Sequence, residues 1–374
     1  MQLLRVQVPE FRALKDVDIS FEPEFTPQVF PLGSLNGGGK STLLQLIFVL
    51  LHCFWDNVRR EKYLKNITEL ISNYNSIQFS KLATITILTK HGKVRLEYFY
   101  GNRDDIIRIL DIEKENHFTY DFDFSYFFVL IHLLDHPKTS KNSKEEFENI
   151  IKILKEILYD IEEKIFLISP SNQPYLFLTK EERRALFTAN TKQIYDDAVK
   201  VSQGSLLNFY TFDFVDVLVE VFRRARANDF KERNKDNPFA HTEKLEADIN
   251  NLFMDGKKIA SLIIEQQRHT QDEIQGVYFK LPDGTEIYPE DLSHGELKRL
   301  AIFVLLKHHD IQDSIVLIDE IENGFHPDWQ YQIVRDLLEW GKNNQYILAT
   351  HSYELCTALT PAHVKELEPR LIKN

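Results

Sequence analysis

Gly33-Ser34-Leu35-Asn36-Gly37-Gly38-Gly39-Lys40-Ser41-Thr42 sets glycines, a lysine and two hydroxyls in the order that a phosphate cradle requires. Glycines let backbone N–H groups turn inward, and the helix start just beyond adds the positive end of its dipole. Lys40 reaches the β- and γ-phosphates and Ser41 is a candidate Mg²⁺ ligand. Ser34, Asn36, Gly37, Gly38, Gly39, Lys40, Ser41 and Thr42 are therefore the expected ATP-binding residues, with Lys40 also counted as catalytic. The usual G-x-x-x-x-G-K-[ST] spacing has its first glycine where this chain has Ser34. Serine is small enough for the turn, although a positive φ costs it more than glycine. The flanks agree: Gln28 to Leu32 reads as a short entering strand, and Leu43 to Leu50 as a buried helix leaving the loop.

The chain has 374 residues, with 45 basic against 57 acidic side chains and a net charge of −12. That balance argues against broad nonspecific attraction to nucleic acid but leaves room for a local basic groove. Cys53 and Cys356 make neither a disulfide framework nor a CxxC metal pattern, which suits a reducing cytoplasm. The N-terminus alternates like a strand and lacks the apolar core of a signal peptide. The longest apolar run, Leu43 to Trp55, is broken by Gln45 and His52 and falls short of the ~20 residues of a membrane span. No membrane partner is expected.

The α/β pattern predicts three segments: an N-terminal lobe over 1–103, a mainly helical insertion over 104–276 and a C-terminal lobe over 277–374. The first lobe holds a strand pair with a turn at Glu10-Phe11-Arg12, then the loop and its helix. A hairpin comes next, around Lys90-His91-Gly92-Lys93. In the insertion, Ser143-Lys144-Glu145-Glu146 is a capping-box pattern that opens an amphipathic helix through Ile161. Further helices are predicted over Phe214–Arg226 and from Thr242 to Gln271, with Pro238 between them. From Val277 a hairpin around Pro282-Asp283-Gly284 leads into helix, strand, helix, strand, as in a parallel α/β sheet.

Ser314-Ile315-Val316-Leu317-Ile318-Asp319-Glu320 is an apolar strand ending in two acids. Asp319, beside the phosphate loop, is the candidate metal ligand, and Glu320, one residue further along the γ-phosphate, the candidate catalytic base. Asp291-Leu292-Ser293-His294-Gly295-Glu296 opens an amphipathic helix and offers a hydroxyl and N–H groups to phosphate. The same residues also read as an ordinary capping box. Gln345-Tyr346-Ile347-Leu348-Ala349-Thr350-His351-Ser352 is a strand ending in an imidazole that can hydrogen-bond a γ-phosphate oxygen or the attacking water.

In this order the motifs resemble the ABC-type branch of P-loop ATPases, shared by SMC proteins, RecF-like repair proteins and the ATPases of OLD-family, Septu, PARIS and retron-associated anti-phage systems. SLNGGGKST resembles Walker A, LSHGE the ABC signature, SIVLIDE Walker B and ATHS the H-loop. DEIENGFHPDWQ is similar to the segment just past Walker B in the OLD, Septu and PARIS ATPases. The resemblance covers about residues 1–60 and 277–355. It implies an ABC-type head with an N-terminal antiparallel sheet and a mixed or parallel core sheet, ATP and Mg²⁺ as cofactors, and Arg12 near the nucleotide. By analogy it makes Gln173 a Mg²⁺-sensing glutamine. It further implies a homodimer in which Ser293 and Gly295 of one subunit close on the nucleotide held by Lys40, Asp319 and Glu320 of another.

Two function classes remain. One is an ATPase switch controlling a separately encoded effector, such as a nuclease, in phage defence; the other is a RecF- or SMC-like ATPase acting on DNA. The cluster Arg223, Arg224, Arg226, Lys231, Arg233 and Lys235 offers phosphate contacts, but interleaved Asp229, Glu232 and Asp236 also fit a solvated helix face. His132, Asp135 and His136 share a helix-face spacing, and His308-His309-Asp310 ends another helix. Neither group has the further ligands of a metal site.

Overall fold

The computed structural model describes residues 1–33, 37–52, 54, 57–71, 80–101, 118–121, 127–135, 144–203, 207–212, 215–232, 237–253, 256–264 and 273–367. In chain order the described elements begin β1 (Gln2–Phe11), β2 (Leu14–Ser20), β3 (Val29–Gly33), α1 (Lys40–Leu51), α2 (Asn57–Thr68), β4 (Ser80–Thr89), β5 (Gly92–Tyr100), β6 (Phe118–Asp121) and β7 (Phe127–Leu133). Next come α3 (Lys144–Glu163), β8 (Ile165–Ser169), α4 (Lys180–Ala185), α5 (Lys192–Ser202), β9 (Phe209–Thr211), α6 (Val215–Glu232), α7 (Ala240–Asn250), β10 (Lys258–Ile264), β11 (Glu273–Lys280) and β12 (Glu286–Ile287). The chain ends with α8 (His294–Phe303), β13 (Ile315–Asp319), α9 (Pro327–Trp340), β14 (Gln345–Ala349), α10 (Tyr353–Thr357) and β15 (Lys365–Glu366). Two compact units result, one of residues 1–210, 313–321 and 343–374, the other of 211–312 and 322–342.

The first unit is built on two sheets. One is antiparallel, in the order β2-β1-β4-β5-β7-β6. The other runs β15-β3-β14-β13-β8-β9, and its neighbours from β15 to β8 pair in parallel. Ile315-Val316-Leu317-Ile318 can be apolar throughout because β13 is flanked on both edges and buried on both faces. Helix α1 packs on β8, β13 and β14. Leu43, Leu44, Leu46, Ile47 and Phe48 are all buried, so α1 is apolar nearly all round. In α3, Ile150, Leu154, Ile157, Leu158 and Ile161 are buried at the expected helical spacing.

The two sheets are pinned by one side chain. Fully buried Gln345 of β14 accepts the Leu3 N–H at 2.6 Å and donates to the Leu3 carbonyl at 3.0 Å, as a neighbouring strand would. At the β4–β5 turn, Lys90 and His91 reach Asp160 and Glu156 of α3 at 2.8 and 3.4 Å.

The second unit holds the antiparallel sheet β10-β11-β12 with α6, α7, α8 and α9. Asp229 of α6 caps α7, accepting from the N–H groups of His241 and Thr242 and from the Thr242 hydroxyl. Arg299 of α8 makes a pair of hydrogen bonds to Asp336 of α9, at 3.1 and 2.8 Å, and lies over the rings of Trp329 and Trp340.

Several expectations change. The segment 104–276 does not stand apart as an insertion, since it supplies strands to all three sheets, and β8 runs beside β13 within the core. The divisions expected at 103 and 276 likewise differ from the two units, because long-range strand pairing rather than sequence adjacency groups the residues. The helix expected from Thr242 to Gln271 ends with α7 at Asn250, Gly256 turns the chain at φ +79, and the apolar Ile259 to Ile264 pairs as β10 with β11. His132 lies on β7 rather than a helix, and its Nε2 faces Glu97 at 3.3 Å, so the helix-face grouping with Asp135 does not form. His136 lies outside the described residues.

Candidate nucleotide site

Parallel register gathers the site at one edge of the core sheet. Asp319 pairs with Ala349, and Ala349 with Leu32, so the C-terminal ends of β13, β14 and β3 lie side by side. Open parallel sheets bind ligands outside such ends. Gly33 feeds the phosphate loop, Asp319 ends β13, and His351 lies two residues past β14.

Gly37 and Gly39 adopt φ of +81 and +88, with Gly38 between them. A β-carbon on Gly39 would lie 2.7 Å from Leu14 Cδ2 and 3.6 Å from Ala13. The β1–β2 turn therefore abuts the loop, and Arg12, exposed at φ +54, belongs to that turn. Burial lowers the pKa of neighbouring Arg183; the nearby Glu69 charge opposes this and the Arg12 charge reinforces it. Ser34 and Asn36 lie outside the described residues.

Helix α1 begins at Lys40, with Ser41 and Thr42 in its first turn. Lys40 is buried, and its Nζ stands 3.4 Å from His351 Nδ1. An ammonium only donates, so in this contact a neutral imidazole accepts at Nδ1 and carries its proton on Nε2. Ser41 Oγ donates to Asp319 Oδ1 at 3.1 Å, and Asp319 is 1% exposed. Glu320, half-buried, has φ +51 and donates its N–H to the Ala349 carbonyl at 3.0 Å. A left-handed glutamate carries strain of a kind found at functional sites.

Gln173, 9% exposed, is held at its side chain by Gln45 and at its carbonyl by Tyr195. Gln45 of α1 donates through Nε2 to Gln173 Oε1 at 3.1 Å and accepts the Leu176 N–H at 3.0 Å. The Tyr195 hydroxyl of α5 bonds the carbonyls of Ser171 and Gln173 at 2.7 and 2.5 Å. Sequence reasoning missed Gln45 and Tyr195. Gln45 had a readable signal, since it lies four residues past Ser41 and shares its helix face.

The donors fit the cofactors expected of them. A hydroxyl and a carboxylate oxygen converge within hydrogen-bonding distance, hard ligands of the kind Mg²⁺ takes, while the two left-handed glycines open backbone N–H groups toward a phosphate.

Ser293 and Gly295 belong to the second unit. Ser293, exposed, caps α8 as the capping-box reading requires: its Oγ accepts the Glu296 N–H at 3.3 Å, and Glu296 Oε2 accepts the Ser293 N–H at 3.0 Å. Lys257 holds the other Glu296 oxygen at 2.6 Å. Gly295 is buried against Gly324, a contact that sequence reasoning did not foresee.

A glycine loop, a strand-end aspartate holding the loop serine and a strand-end histidine beside the loop lysine define an ABC-type P-loop ATPase fold. The chain belongs to the family described as "AAA domain, putative AbiEii toxin, Type IV TA system", which matches residues 35–357. It is 22% identical over 374 residues to the Retron Vc95 probable ATPase of Vibrio cholerae serotype O1 biovar El Tor, a match covering 88% of this chain and 67% of that protein. It is 42% identical over 51 residues to the Retron Ec83 probable ATPase of Escherichia coli, over 14% of this chain and 9% of that protein. Similar solved structures include the SMC head domain from Thermotoga maritima, at 13% identity, 96% and 92% coverage of this chain and that one, and TM-score 0.44. The recombination mediator protein RecF is another, at 13% identity, 95% and 94% coverage and TM-score 0.40. No helix among the described residues is long and apolar enough to cross a membrane.

Proposed function

We propose that this protein binds and hydrolyses ATP, dimerises around it, and works as a switch controlling a separately encoded effector, such as a nuclease, in phage defence. The observation that carries the reading is the meeting of Lys40 with His351 and of Ser41 with Asp319 at one sheet edge. Lys40 and the glycine loop bind the triphosphate, Ser41 and Asp319 would hold Mg²⁺, Glu320 takes a proton from the attacking water, and His351 orients it. When bound there, Mg²⁺ would supply neutralisation of the phosphate charge. Ser293 and Gly295 of a second copy would complete each site, so ATP favours the dimer and hydrolysis releases it. The likeness to two retron ATPases favours a defence role with a partner effector.

Direct action on DNA has less to support it. Arg223 lies 4.0 Å from Glu220, and Arg226 stacks on Phe239 at 4.2 Å. Arg233 and Lys235 lie outside the described residues.

Sedimentation of Glu320→Gln with and without ATP tests the reading. It should form an ATP-bound dimer that does not turn over, while Lys40→Ala should bind no ATP. A Glu320→Gln protein that hydrolyses at the native rate, or stays monomeric with saturating ATP, overturns it.

A further inference from the structure

The carboxamide of Gln173 has an oxygen end and an NH₂ end of nearly equal shape, and only the oxygen can meet a metal ion. Its orientation in the fold is set by a chain of bonds that starts at a group with no freedom. The Leu176 backbone N–H can only donate, so the Gln45 oxygen must face it, at 3.0 Å. Gln45 therefore turns its NH₂ group toward Gln173, which in turn must present its oxygen, at 3.1 Å. Both glutamines are buried, so water does not readily replace either bond.

Ser41 and Gln45 lie one helical turn apart on the same face of α1, about 6 Å along the axis. The oxygen of Gln173 is thus turned toward the helix face that carries the metal-side serine. A carbonyl oxygen has two lone pairs, and Gln45 occupies one of them. Tyr195 holds the loop itself: its hydroxyl shares its one proton between the carbonyls of Ser171 and Gln173, which leaves the side chain as the part that must be oriented. Burial pushes the Tyr195 phenol up, so it remains a donor.

We propose that Gln45 is a positioning residue for the metal side of the site: it fixes the polarity of the Gln173 carboxamide so that oxygen, and not NH₂, faces the Mg²⁺ of bound Mg·ATP. The proposal rests on the ATPase reading and adds a residue that its motifs do not contain. A carboxylate at position 45 would still accept the Leu176 N–H but would present an acceptor to Gln173. Gln173 would then flip to donate, turning its oxygen away.

The test measures ATP affinity by equilibrium dialysis with and without Mg²⁺, which needs no turnover. Native protein should gain affinity when Mg²⁺ is added. Gln45→Glu should lose about tenfold of that gain, in line with outer-shell changes at metal sites. Gln173→Ala should lose a similar amount, and the double variant no more than either alone. Gln45→Met leaves no buried charge and removes the orienting donor; it should lose part of the gain while its melting curve stays cooperative.

Gln45→Glu and Gln45→Met proteins that keep the full Mg²⁺ gain overturn the proposal while leaving the ATPase reading intact. A Gln45→Glu loss that persists at full size on top of Gln173→Ala also overturns it, because Gln45 would then act through something else. Native protein that binds no ATP overturns both.

Discussion

Gly295 and Gly324 meet backbone to backbone: a β-carbon on Gly295 would lie 2.3 Å from the Gly324 carbonyl oxygen, and one on Gly324 would lie 2.5 Å from His294 Cδ2. The turn that carries Ser293 is thereby locked to the loop that follows Asp319 and Glu320 in sequence. Neither obstacle to Gly295 can swing aside, since the nearest atoms are main chain. Gly295→Ala should cost roughly 2 kcal/mol or more, the scale of overpacking a rigid site. Gly324→Ala should add a left-handed penalty of about 1 kcal/mol to its clash, because Gly324 sits at φ +86. Urea unfolding curves check both. Binding of ATP by the Lys40 loop should survive in either variant, while ATP-dependent dimerisation should fail.

Glu320 carries a different kind of strain. At φ +51 a glutamate costs about 1 kcal/mol that a glycine would not. Glu320→Gly is therefore expected to melt later than native protein while hydrolysis drops to background. A variant that is stabilised and still active would remove Glu320 from the role of base.

Gln345 replaces a strand with a side chain. Gln345→Leu would leave the N–H and carbonyl of Leu3 buried without their partner, at a cost of about 2–4 kcal/mol for the two groups. Faster hydrogen exchange at the Leu3 amide, together with an earlier unfolding midpoint, is the expected signature.

Acid should act on the antiparallel sheet through Glu97. Its hydrogen bond to His132 outweighs burial and, with Lys81, holds its pKa at about 2, below the ordinary value of 4.5. A depressed carboxylate contributes stability that is full above pH 4.5 and disappears as pH falls through about 2. With Lys81 partly exposed, that contribution is on the order of 2 kcal/mol. Glu97→Gln should lower stability at pH ~6 and flatten its pH dependence between 4.5 and about 2, as read from unfolding midpoints across that range.

Local chemistry made much of this site legible. The glycine loop, the apolar strand ending at Asp319 and the strand ending before His351 each announce themselves within about ten residues, through composition and period. Register did not: nothing near Ala349 reveals that it pairs with both Asp319 and Leu32. The short run Ile165–Ser169 is too brief for its period to separate strand from helix, so a core strand was absorbed into a helical segment. Past Asn250 the helical reading failed because propensity yielded to pairing with β11. The Gly295–Gly324 contact left no trace at all, since close approach of two turns belongs to tertiary geometry.

The order in which the sheet edge is filled has a consequence for the growing polypeptide. Lys40 leaves the ribosome long before Asp319 and His351, its neighbours in the finished edge. Until the last strands dock, a nascent or prematurely terminated product holds the Lys40 loop with neither the Asp319 carboxylate nor the His351 imidazole beside it. The Lys40–His351 and Ser41–Asp319 contacts can therefore form only in a chain translated past His351.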